Sequence, residues 1–124
     1  MKLARRPEYV NQCDCSVCLR IGAAWGYFGN GEVTIEGETG RFQPSDIAEP
    51  GLSFHFCPSC GSTTNWAALA HAPRERMGVN MRLFKPGDLD GLEARFSDGL
   101  GREGAGPRPP DRHAPITVRE RWPT

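Results

Sequence analysis

Apolar residues recur at every second position through much of this chain, the spacing of strands that bury one face. In "LSFHFC", Leu52, Phe54 and Phe56 share one side, while Ser53, His55 and Cys57 share the other. "EVTIE" sets Val33 and Ile35 together. "MGVNMRLF" reads as one strand, with Met77, Val79, Met81 and Leu83 on its apolar face and Gly78, Asn80 and Arg82 opposite. "GAAWGYF" and "TTNWAAL" are further strands. Turns at "GNGE", "EGETG", "EPG" and "KPGDLDG" separate them, the last with room for one helical turn at Pro86–Leu89. No segment carries a helical apolar stripe over three turns. The pattern predicts a mainly β domain with little helix.

The alternation fades after Asp98, where "GLGREGAGPRPPDRHAP" holds almost no large apolar residue. Such a segment buries too little surface to offset its ordering entropy. The expected organisation is one domain over residues 1–98 and a flexible Gly/Pro-rich tail over 99–124. Within that tail "ITVRERW" has the makings of one short edge strand, and Trp122 either packs back or stays exposed. A chain of 124 residues suits this single-domain division.

Charge narrows the function classes. Fifteen basic residues balance 15 acidic ones. That neutrality excludes the basic face of a dedicated nucleic-acid binder, so Trp25, Tyr27 and Trp66 are core or pocket wall rather than platforms for bases. No apolar run approaches the ~20 residues of a membrane span. "MKLARRPEYVNQ" lacks the apolar stretch of a secretory signal. The expected setting is a reducing cytoplasm, with neither nucleic acid nor membrane as partner.

In that setting the five cysteines read as metal ligands rather than disulfides. Five thiols cannot pair fully, and one intervening residue between Cys13 and Cys15 would strain a disulfide ring. "CDCSVC" supplies Cys13, Cys15 and Cys18; "CPSCGS" supplies Cys57 and Cys60. A C-x-x-C turn brings two sulfurs within ~2.3 Å of one metal, with backbone N–H groups aimed at them. Two such grips describe a closed four-cysteine structural zinc site, which leaves Cys13 over. Alternatively Cys13, Cys15 and Cys18 hold a zinc with one position open, as catalytic zinc requires. His55, on one strand face with Cys57, is a ligand, a proton shuttle, a neighbour that orients a ligand, or a buried histidine bonded to a carbonyl.

The stretches "CDCSVCLRIGAAWGYF", "FHFCPSCGSTTNW" and "RMGVNMRLF" resemble, in that order, the glutathione-dependent formaldehyde-activating family, also called the centromere protein V/GFA domain. The resemblance covers roughly residues 10–98. It implies a zinc-bound β-tent fold and a carbon–sulfur lyase that condenses or cleaves S-hydroxymethyl adducts of glutathione. In it the triad Cys13, Cys15 and Cys18 corresponds to the open zinc. Asn80 and Arg82 are then expected to contact the carboxylates of the thiol substrate, with His55 beside them. Family members usually begin with a further C-x-C strand that joins the late C-x-x-C around a structural zinc. This sequence begins after that strand. Three expectations follow: an empty site at Cys57 and Cys60, a regrouping around one zinc, or a start assigned too far downstream. The rival to the lyase is accordingly a non-catalytic module with a single closed zinc.

Overall fold

Strands form where alternation lets one face bury apolar side chains while the backbone completes its hydrogen bonds sideways. The protein, seen as a computed structural model, is described over residues 1–45 and 50–97 and along the backbone of 112–115. Its strands are β1 (Lys2–Leu3), β2 (Tyr9–Cys13), β3 (Trp25–Gly29), β4 (Val33–Thr34), β5 (Gly40–Phe42), β6 (Leu52–Phe56), β7 (Thr63–Ala68), β8 (Arg76–Asn80), β9 (Glu93–Ser97) and β10 (Arg112–Pro115). The only α-helix among the described residues is α1 (Ser16–Ile21), and short 3-10 turns lie at Met81–Leu83 and Pro86–Leu89. The mainly β expectation holds, and the architecture fits a β-tent. Among the described residues no helix is long and apolar enough to cross a membrane.

Eight strands make one sheet in the order β10-β9-β2-β3-β8-β7-β6-β5, while β1 and β4 form a separate two-stranded sheet. Neighbours run antiparallel except β2 and β9, which are parallel and set Cys13 opposite Ser97. Each face of the sheet carries its own apolar cluster. Val10, Ala24, Phe28, Met77, Val79 and Met81 pack on one side, with Leu89 and Ala94. Val17, Cys18, Ala23, Trp25, Phe54 and Trp66 form the other. The period of two explains the split along β3: Phe28 turns to the first cluster, Trp25 and Tyr27 to the second. Fully burying a side chain such as Phe28 contributes about 1.5–3 kcal/mol. Where β8 passes beneath Trp66 there is room for a hydrogen only: a Cβ on Gly78 would overlap the indole.

Several expectations change. "MGVNMRLF" is not one strand, because β8 stops at Asn80. The Asn80 side chain accepts the Arg82 backbone N–H at 3.2 Å and so starts the 3-10 turn. That turn swings Leu83 outward, where it is 45% exposed. "EVTIE" keeps only Val33–Thr34 as strand. Two strands, β2 and β9, arise without a clean alternation. Arg112–Pro115 pairs with β9 as an edge strand, whereas "ITVRERW", Trp122 and the rest of the expected tail lie outside the described residues.

Candidate metal centre

The site begins with a helix too short to hold itself together by propensity. Both ends of α1 are fixed instead. At its start the Cys15 sulfur accepts the Cys18 N–H, so a thiol does the work of an N-cap. At its end Gly22 takes the left-handed conformation (φ 63°) and donates its N–H to the Cys18 carbonyl at 3.0 Å. One turn of helix thereby presents Cys15 and Cys18, three residues apart, to the same side. Cys13 reaches them from the end of β2, and its sulfur accepts the Cys15 N–H at 3.5 Å. All three sulfurs lie within 4.8 Å of one another and can hold a metal ion.

Proton sharing among the three is uneven. A hydrogen bond from Cys18 draws the Cys13 thiol down to about 6 against the effect of burial. The same bond, with burial, pushes Cys18 far up. Burial also raises Cys15. The shared hydrogen bond thus favours the ionised form at Cys13 and the retained proton at Cys18, which a metal would displace. The Trp25 indole N–H points at the Cys18 sulfur at 3.2 Å and favours its ionised form.

A cavity of about 230 Å³ opens over the three thiols. Trp25, Tyr27, Phe54 and Trp66 wall it. Asn11, itself buried, donates to the Tyr27 hydroxyl at 2.9 Å and fixes that ring. Two exposed arginines, Arg74 and Arg76, also line the opening. Trp25, Trp66 and Tyr27 thus stand as core and pocket wall, as expected.

The remaining expected residues go elsewhere. Cys57 and Cys60 do not join the group of three. They flank the turn between β6 and β7, closed by Cys57 N–H to the Ser62 carbonyl at 2.9 Å and by Gly61 at φ 75°. Cys60 is exposed, and its contact with Ser62 lowers its thiol. The closed four-cysteine site is thus not assembled. His55 engages both ring nitrogens, Nδ1 with Thr39 at 3.1 Å and Nε2 with Ser53 at 3.0 Å. Burial, with Arg41 adding to it, holds its basicity below the ordinary value.

Asn80 and Arg82 do not line the cavity either. Arg82 reaches Gln12 at 3.1 Å. Asn80 is 5% exposed; its amide donates to the Thr63 carbonyl at 2.9 Å and accepts the Ala24 N–H at 3.2 Å. It pins β3, β7 and β8 together and is not available to a substrate. Asn80→Ala is expected to lower unfolding free energy by about 2 kcal/mol, because buried partners lose their bonds. Thiol affinity should stay within about two-fold of the parent. Denaturant unfolding and calorimetry check the two halves; lost affinity at unchanged stability would return Asn80 to the ligand's side.

No protein-family model matches the chain, and no curated protein matches it. A crystal structure of a Rhodobacter sphaeroides protein, solved as a structural genomics target, is similar in fold: TM-score 0.56 at 22% identity, over 77% of this chain and 87% of that one. The likeness supports the architecture alone. Arg74 and Arg76 were not anticipated, because "HAPRER" reads as a polar loop. Only the return of β8 beside β3 and β7 carries them to the cavity.

Proposed function

We propose that the protein binds a low-molecular-weight thiol at a three-thiolate zinc site and acts on its S-hydroxymethyl adduct as a carbon–sulfur lyase. One observation carries this reading: three thiols, and no fourth protein ligand among the described residues, gather beneath an open cavity. Sulfurs around tetrahedral zinc stand roughly 3.8 Å apart, so side chains already within 4.8 Å of one another need only small adjustments. Soft thiolate donors favour zinc over magnesium or calcium. The resemblance noted in the sequence supplies the reaction class.

Zinc bound there lowers the pKa of an incoming thiol and so supplies a thiolate at neutral pH. The chain's own residues do the rest. Cys13, Cys15 and Cys18 hold the ion, with backbone N–H groups and the Trp25 indole tempering their charge. Trp25, Tyr27, Phe54 and Trp66 wall the space around the reacting carbon. In an adduct R–S–CH2–OH the hydroxyl proton passes to solvent water, the oxygen electron pair becomes the second C=O bond, and the C–S pair stays on sulfur. Formaldehyde and the thiolate result, and the reverse step condenses them. A reducing compartment, where all five thiols stay free, suits this chemistry.

Glutathione titrated into the zinc-loaded protein is expected to bind once per zinc. Formaldehyde release from S-hydroxymethylglutathione should follow zinc occupancy. No heat at millimolar glutathione, with one zinc tightly held, would leave a non-catalytic zinc module instead.

A further inference from the structure

We propose that Arg74 and Arg76 form an anion-reading lip that selects thiols carrying a carboxylate; this rests on the thiol-binding reading above. The wall between the cysteines and the opening is largely aromatic, so it distinguishes ligands by shape and not by charge. The charge at the opening comes from these two guanidinium groups, and no carboxylate lines the cavity among the described residues. Three other surface cations are matched: Lys2 with Glu36, Arg5 with Glu32, Arg95 with Glu93. No such ion pair engages Arg74 or Arg76 among the described residues.

Both residues stand on supported backbone. Arg76 opens β8, opposite Gly29 of β3. Its guanidinium lies 4.5 Å above the Tyr27 ring, which Asn11 holds in turn. Two residues earlier, the Arg74 carbonyl accepts the Asn30 amide at 3.0 Å, tying the turn to the β3 end. A guanidinium stacked on a ring keeps its N–H edge free, and that edge matches a carboxylate through two parallel hydrogen bonds. A thiol whose sulfur reaches the cysteines and whose tail carries a carboxylate would engage both ends of the cavity. A neutral thiol would use the floor alone. Because both arginines are exposed, their contribution is screened by salt.

The test compares two ligands of nearly equal shape, 3-mercaptopropionate and its methyl ester, titrated calorimetrically into the zinc-loaded full chain. The acid is expected to bind about ten-fold tighter than the ester at low salt, and the gap should narrow at high salt. Arg74→Gln with Arg76→Gln should remove the preference while the ester binds as before, which also shows that the fold and zinc site survive. Restoring charge with Arg76→Lys should recover part of it. Equal affinity for acid and ester in the parent protein, or a preference that survives the double substitution, overturns the lip while leaving thiol binding in place. Failure of both ligands to bind the parent protein overturns thiol binding and the lip together.

Discussion

Removing the zinc proposed at the Cys13–Cys15–Cys18 site is expected to lower the melting temperature by more than about 15 °C. Structural zinc contributes on the order of 10 kcal/mol of apparent binding free energy, comparable to the whole stability of a small domain. The location makes the effect large here. Cys18 is only 7% exposed and belongs to the apolar cluster formed with Val17, Trp25, Phe54 and Trp66. Without an ion, that cluster encloses three thiols held together by hydrogen bonds alone. The cluster around Phe28 and Val79 lies on the other face of the sheet and gives the site no direct support. Calorimetric melts with and without chelator, with metal content measured on both samples, decide the point. An unchanged melt after complete removal would show that the sheet stands without the ion.

Cys18→Ser should weaken zinc binding at least about 100-fold, since loss of a mere hydrogen-bonding partner of a ligand already costs 10–100-fold. Serine is a poor substitute because its hydroxyl is harder and hardly ionises at neutral pH. Cys60→Ser should leave affinity at this site within a few-fold, because the Cys57–Cys60 turn stands apart from the three-thiol group. Competition against a chromophoric chelator measures both. If the two substitutions weakened binding equally, Cys60 would belong to the same ion and the closed-site reading would return.

The part of this centre legible in the sequence is the part that is local. C-x-C-x-x-C needs only one helical turn and one strand end to gather its sulfurs, and spacing alone announces it. β6 and β7 were legible as apolar stretches between turns, although each buries a polar residue beside an aromatic one, Ser53 with Phe54 and Asn65 with Trp66. β2 was not, because "YVNQC" buries a polar residue: Asn11 satisfies its amide on Tyr27, a partner invisible from its own neighbours. β9, "EARFS", carries charge on its outer face, where Arg95 packs 3.7 Å over the Tyr9 ring and pairs with Glu93. Asn80 shows the opposite failure. Period two put it on a ligand-facing strand side, yet three backbone groups claim its amide.

The parallel pairing of β2 with β9 also dictates when the centre becomes complete. Cys15 and Cys18 are grouped as soon as α1 forms. Cys13 is different: it lies opposite Ser97, and Asp14 beside it donates its N–H to the Ser97 carbonyl at 3.2 Å. Its strand must wait for almost the whole domain to emerge before that neighbour arrives, and such distant closures are slow. The three thiols are neighbours in sequence, but the strand end that carries Cys13 is fixed against β9 only late. An ion taken up before then would rest partly on a Cys13 whose place no β2–β9 pairing yet holds.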